Sequence, residues 1–199
     1  MFGWVAAADN ALTLTVAASY LSIPTLRKLE ADCRAGDPQD RLGRETIAGM
    51  LDITVSESTS ASPERVLAAA TDLSDDRVKV WPNSKPQAFE VHDQGAGFAE
   101  VTEGFRPPFG HVWERSRYEW EPGEVRQTVI ASNVLAPGST WTLRASPSAA
   151  GSTVEMQLRR EFLGTGKGRT ASVINHLGGR RMWGWYLRKA LAEVERRAT

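Results

Sequence analysis

The side chains of this 199-residue sequence best suited by type and spacing to chemistry are Glu114 and Tyr118, with Gln127 not far along the chain. Across Val112–Glu121 a strand alternation puts Val112, Glu114, Ser116, Tyr118 and Trp120 on one face, and Trp113, Arg115, Arg117 and Glu119 on the other. The second face carries more charge and is expected to meet water. A carboxylate turned toward an apolar interior has its charged form disfavoured, so Glu114 is a candidate general acid or base. The alternative is a structural ion pair with a neighbouring arginine. Tyr118, on the same face, and Gln127, on the following strand, suit the orientation of a carbonyl or hydroxyl. The alternative for Tyr118 is a core aromatic whose hydroxyl is satisfied.

Other chemistries find little support. The three histidines, His92, His111 and His176, lack metal-ligand spacing, so no metal is expected. Cys33 is the single cysteine, which excludes an intramolecular disulfide and fits a reducing cytoplasm. No Gly-x-Ser-x-Gly elbow occurs. Gly164–Arg169 resembles a phosphate loop only superficially and reads as a flexible lead-in to the last helix. Arg180-Arg181 and Arg196-Arg197 are too few for a nucleic-acid site. No cofactor is expected. Arg outnumbers Lys 19 to 5, which reads as coding bias of a GC-rich, bacterial genome.

Those candidates must be positioned by the elements around them. Leu51, Ile53 and Val55 alternate with Asp52, Thr54 and Ser56 as a half-buried strand. Ser62-Pro63 then opens a helix running to about Asp72, and a second short helix is expected over Asp75–Val80. Six strands follow: Ala88–His92, Phe98–Glu103, Val112–Glu121, Val125–Val134, Thr140–Ser146 and Thr153–Phe162. Gly95–Gly97, Pro122-Gly123, Pro137-Gly138 and Pro147–Gly151 punctuate them as hairpin turns, so the sheet is expected to be antiparallel. The period then changes to that of one long basic helix, roughly Thr170 to Ala198. Its expected stripe is Val173, Leu177, Arg180, Gly184, Leu187, Leu191 and Val194. Gly178-Gly179 inside it costs about 1 kcal/mol each relative to Ala; the pair either bends the helix, making it a movable wall, or admits a close neighbour.

Charge totals zero yet is uneven: residues 159–199 carry a net +7 and the remainder −7. Either the helix attracts an anionic ligand or membrane surface, or it packs against an acidic sheet. With 41% hydrophobic and 24% charged residues, the composition is that of an ordinary soluble domain. Val5–Tyr20 is too short and too polar for a membrane span, and no Lys or Arg precedes Arg27 as an export signal would want. Residues 1–49 read as an extension, partly helical (Thr25–Ala35) or disordered, with Met50 as a possible native start.

Strand, two short helices, six strands and a long C-terminal helix is the helix-grip order. The sequence resembles the START-like (SRPBCC) superfamily of polyketide cyclase/dehydrase and lipid-transport proteins. The phrases that carry the likeness are Ala61-Ser62-Pro63-Glu64-x-Val66 leading to Asp72 and Trp81, Val112-x-Glu114-Arg115 running to Glu119-Trp120-Glu121-Pro122, and Leu143 through Pro147 to Gly151-Ser152-Thr153-Val154. It covers about residues 50–198. The resemblance implies an α+β helix-grip fold, a curved seven-stranded antiparallel sheet wrapped around the long helix, and a START-like ligand-binding domain over residues 50–199. It implies a cavity between sheet and helix for a hydrophobic small molecule, a lipid or aromatic, polyketide-like metabolite. Alternatives are a cyclase or dehydratase using Glu114 and Tyr118 in that cavity, and a protein-interaction module.

Strand parity supplies a lining. From β positions it takes Trp120, Gln127, Val129, Trp141, Leu143 and Met156, with Phe89, Val91, Val125, Ala131, Ala145, Val154 and Leu158 beside them. Phe98, Glu100 and Thr102, or their alternates, complete the sheet. The helix is expected to add Leu177, Arg180, Trp183 and Leu187. Small residues such as Ser116, Ala131 and Ala145 favour a void.

Overall fold

The computed structural model describes residues 50–81, 89–107 and 110–197. The readings of residues 1–49, and of Ala88 and Ala198, lie outside them. The first alternation forms β1 (Leu51–Thr59), with Leu51, Ile53 and Val55 buried and Asp52, Thr54 and Ser56 exposed. α1 (Pro63–Thr71) follows; Pro63 sits at its first turn, where no N–H is needed, and Ser62 is extended as an N-cap but its hydroxyl makes no capping bond. α2 (Arg77–Val80) is a single turn, shorter than the expected Asp75–Val80.

The strands after the helices are β2 (Glu90–Gly95), β3 (Phe98–Phe105), β4 (Val112–Glu121), β5 (Glu124–Ser132), β6 (Thr140–Ser148) and β7 (Gly151–Arg160). All pair antiparallel in one seven-stranded, open, curved sheet, ordered β1-β7-β6-β5-β4-β3-β2. Gly123 (φ 90°) and Gly138 (φ 87°) take the left-handed turn conformations that their Pro-Gly contexts signalled. β2 is exposed along its length, as suits an edge strand, and Val91, expected inward, is 37% exposed. In β3 the inward residues are the alternates of Phe98, Glu100 and Thr102: Ala99 and Val101 are wholly buried.

β5 breaks its own parity. Ser116 pairs with Val129 but Arg115 pairs with Ala131, which leaves Ile130 as an extra residue in β5. This bulge sends Ala131 to the register position of the exposed Arg115, so Ala131 does not line the concave face as its alternation suggested.

α3 (Gly166–Arg196) begins earlier than the expected Thr170. The Thr165 hydroxyl caps it by accepting from the Gly168 N–H at 3.1 Å, and Gly168 is required because a Cβ there would overlap the Leu163 carbonyl. The run read as a flexible lead-in is therefore the first helical turn. Gly179 explains half of the glycine pair: a Cβ on it would come within 2.6 Å of Ile53 Cδ1, so its absence lets α3 settle on β1. Gly178 meets nothing within 4 Å. The C-terminal end of α3 is fastened to β1 through Glu195, which accepts from Thr59 Oγ1 at 2.6 Å and from the Ser60 N–H at 2.8 Å. Arg188–Glu57 (2.5 Å) and Arg197–Asp76 (3.8 Å) join the basic helix to acidic groups of β1 and of the residue before α2, which favours packing as the source of the charge asymmetry.

α1 and α3 cover the concave side of the sheet, α1 against β5–β7 and α3 chiefly against β1. Leu143, Val154, Met156, Leu158 and Leu187 are wholly buried between them. Each contributes roughly 1.5–3 kcal/mol relative to exposure. Among the described residues no helix is long and apolar enough to cross a membrane.

Candidate functional site

Polar side chains gather on the concave face, inside this apolar core. β4 turns Glu114, Ser116 and Tyr118 inward, and the register sets Tyr118 opposite Gln127 of β5. The Gln127 amide donates to Glu114 Oε1 at 2.8 Å and to Ser116 Oγ at 3.0 Å. Arg160, the last residue of β7, continues the inward series Val154, Met156, Leu158. Its Nη1 stands 3.6 Å from Glu114 Oε2, with side-chain exposures of 12% and 20%. The ion-pair alternative for Glu114 therefore has a named partner in Arg160, while Gln127 is the group that hydrogen-bonds to it.

A second cluster lies beside the first. Arg77 of α2, 3% exposed, donates from Nε to Glu103 Oε1 at 2.5 Å, from Nη1 to the Ala70 carbonyl at 2.8 Å, and from Nη2 to Tyr118 Oη at 2.9 Å. Tyr118 Oη in turn donates to Glu103 Oε2 at 2.7 Å. The three groups close a ring, and the phenol uses both its donor and its acceptor function within it. Burial, and after it the Glu103 charge, push the Tyr118 phenol well above its ordinary value. The phenol proton is donated to Glu103, and no hydrogen bond joins Tyr118 to Glu114 among the described residues.

α3 supplies the facing wall. Trp183 donates from Nε1 to Asn175 Oδ1 at 2.9 Å, and its ring lies 5.2 Å from the Arg160 guanidinium carbon. Tyr186 packs edge-on to Trp183 at 5.3 Å and reaches Trp81, just after α2, at 6.0 Å. Trp81 meets Trp141 of β6 edge-on at 6.0 Å. Burial again raises the Tyr186 phenol, with the Glu103 charge second. An open groove of about 290 Å³ lies elsewhere, lined by α1, Val80 and the end of α3 with Arg65, Asp72 and Arg197 at its rim, and holds none of these groups.

Of the residues expected at the site, Tyr118, Gln127, Val129, Trp141, Leu143, Met156, Trp183 and Leu187 are buried, and Glu114 and Trp120 are half-buried. Leu177 and Arg180 are corrections: Leu177 is 56% exposed and Arg180 is exposed, so both face away from the sheet. The helix turns Gly179 inward at that point, while the expected Trp183, Gly184, Leu187, Leu191 and Val194 are buried. Arg77, Glu103, Arg160, Tyr186 and Trp81 were not anticipated. Alternation through Val154, Met156 and Leu158 contained the signal for Arg160, and the place of Tyr186 beside Leu187 contained a weaker one. Nothing local marks Arg77. Among the described residues no group of His, Cys, Asp and Glu could hold a metal ion.

No protein-family model matches the chain, and no curated protein matches it in sequence. Solved structures do match in fold. The Zhui aromatase/cyclase from Streptomyces sp. R1128 superposes with a TM-score of 0.60 at 14% identity, over 76% of this chain and 97% of that one. A protein from Thermus thermophilus gives 0.62 at 16% identity, over 75% and 100%. A START superfamily protein from Mycobacterium smegmatis gives 0.55 at 14% identity, over 74% and 97%. The described residues thus have the START-like (SRPBCC) helix-grip fold.

Proposed function

We propose that this chain binds a hydrophobic small molecule, a lipid or an aromatic, polyketide-like metabolite, between the concave sheet and α3. The observation that carries the reading is the polar patch itself: Glu103, Glu114, Arg77 and Arg160 converge, with Tyr118, Tyr186 and Gln127, against a largely apolar core. Buried ionised groups cost desolvation energy that a purely structural core of apolar side chains avoids, and such groups concentrate at binding sites. An apolar wall with a few convergent polar groups is also the usual make-up of a small-molecule site. The fold it shares with an aromatase/cyclase and a START superfamily protein supports the same reading. Native mass spectrometry of the purified protein tests it. The expected spectrum shows a small-molecule adduct lost on mild activation. Bare protein whose tryptophan fluorescence is unmoved by an apolar extract of the producing cells would sink the reading.

Proton transfer by Glu114 in a cyclisation or dehydration is the second reading, favoured by the place of Glu114 in the same patch and its partial exposure. Glu114→Gln separates the two: unchanged ligand binding with lost turnover supports an enzyme, whereas a parent protein that turns over none of its bound ligands supports a carrier.

A further inference from the structure

We propose that Arg160 and Tyr186 are a pair of donors that hold the carbonyl oxygen of a neutral, largely apolar ligand against the Trp183 side of α3. This rests on the binding function just proposed and narrows its ligand class.

The two arginines of the patch differ in what they have left to give. Arg77 commits its three nitrogens to Glu103, to the Ala70 carbonyl and to Tyr118. Arg160 faces Glu114 at 3.6 Å, beyond hydrogen-bond range, and its Nε is buried without a hydrogen-bond partner. A buried N–H without an acceptor carries a standing cost that an incoming oxygen removes. The two tyrosines, Tyr118 buried and Tyr186 half-buried, differ in the same way. Tyr118 both donates and accepts. The contacts of Tyr186 are with the rings of Trp183 and Trp81, and its hydroxyl has no hydrogen-bond partner among the described residues. Trp183 links the pair, lying 5.2 Å from the Arg160 guanidinium carbon and 5.3 Å from the Tyr186 ring.

The chemistry of the ligand follows from these groups. Arginine offers donors and no acceptor, so the ligand must present an acceptor. Burial keeps the Tyr186 phenol protonated, and hence a donor, through the neutral range. Glu114 already supplies the counter-charge of Arg160. A carboxylate ligand would add a second anion beside Glu114, whereas a ketone or quinone oxygen accepts without adding charge.

Calorimetric titration of the full chain with 2-acetylnaphthalene, 2-ethylnaphthalene and 2-naphthoate tests the pair. The ketone is expected to bind about tenfold tighter than the hydrocarbon, the advantage of one hydrogen bond to a charged group, and tighter than the carboxylate. Arg160→Lys keeps a cation for Glu114 but lacks Nε; Tyr186→Phe removes only the hydroxyl. Each should bring the ketone to within about threefold of the hydrocarbon, both measured on the same variant. Tyr186→Phe carries the test by itself if Arg160→Lys melts early. Equal binding of ketone and hydrocarbon, tighter binding of naphthoate, or a ketone preference that survives both substitutions overturns the inference and leaves the binding function standing. Failure of all three probes to bind overturns both.

Discussion

The Tyr118 hydroxyl of β4 accepts a 2.9 Å hydrogen bond from Arg77, 41 residues earlier in the chain, and donates one of 2.7 Å to Glu103 of β3. Three elements meet at one phenol. Arg77→Met strips Glu103 of its guanidinium and is expected to cost about 3–5 kcal/mol. Tyr118→Phe removes only the hydroxyl and is expected to cost about 1–3 kcal/mol. Urea unfolding measures both. The double substitution should cost less than the sum; strict additivity would show that the groups do not act as one network.

Alkaline pH probes the same region. The phenols of Tyr118 and Tyr186 lie above the ordinary 10.0, through burial first and the Glu103 charge second. In the unfolded chain they ionise near pH 10, so around and above that pH the folded state binds more protons. Their contribution to stability is complete below about pH 10 and is lost as pH rises toward the folded values. Tyrosinate absorbance from these two should therefore appear together with the loss of circular dichroism. Early ionisation in a protein that stays folded would contradict this, and Tyr118→Phe/Tyr186→Phe should flatten the alkaline decline.

The acid limb has its own reporter at the end of α3. Hydrogen bonding from Arg196, joined by Arg197, holds the Glu193 carboxyl down from 4.5 to about 2. Its contribution is present above the unfolded value and is lost as pH falls through about 2. Carbon-detected NMR titration of the side-chain carboxyl should give a midpoint near that lower value. A midpoint at the ordinary one would mean that the two arginines do not hold it.

The two glycines of α3 should respond differently to alanine. Gly178→Ala meets nothing within 4 Å and is expected to stabilise by about 1 kcal/mol through helix propensity. Gly179→Ala must displace Ile53 Cδ1, and an off-rotamer side chain costs about 0.5–1.5 kcal/mol, so its gain should be smaller or absent. Ile53→Val, which removes that methyl group, should narrow the gap. Equal gains at both positions would mean that α3 does not approach β1 this closely.

The phase of α3 is open to direct test as well. Leu177→Ser and Arg180→Ala, on the outward face, should change stability by no more than about 0.5 kcal/mol. Leu187→Ala, which empties a wholly buried site, should cost about 2–5 kcal/mol. A large loss at Leu177 would mean that this turn of the helix faces the sheet after all.

The sheet was legible because its turns are chemically distinct and its strands alternate: β1 and β4 carry the burial expected of them, and Pro-Gly marks two hairpins. The bulge at Ile130 was not, since one extra apolar residue leaves the local pattern looking regular. The expected face of α3 is buried from Trp183 through Gly184, Leu187, Ala190 and Leu191 to Val194, but Leu177 and Arg180 were misread, because their turn buries the small Gly179 and leaves Leu177 outside. Glu114 and Gln127 could be paired from strand parity, but the partnership of Arg77 with Glu103 joins α2 to β3 and leaves no periodic trace.

The sheet order also constrains how the chain reaches this shape. β1 pairs with β7, Leu51 opposite Arg160, and rests under α3. The strands from β2 to β7 meet sequential neighbours and can zip as local hairpins, but β1 has no partner until the last strand exists. During synthesis it must wait, its apolar edge available to chaperones, while about a hundred residues emerge. Closure of the core between sheet and long helix is then a late folding event, set by the longest loop the chain has to close.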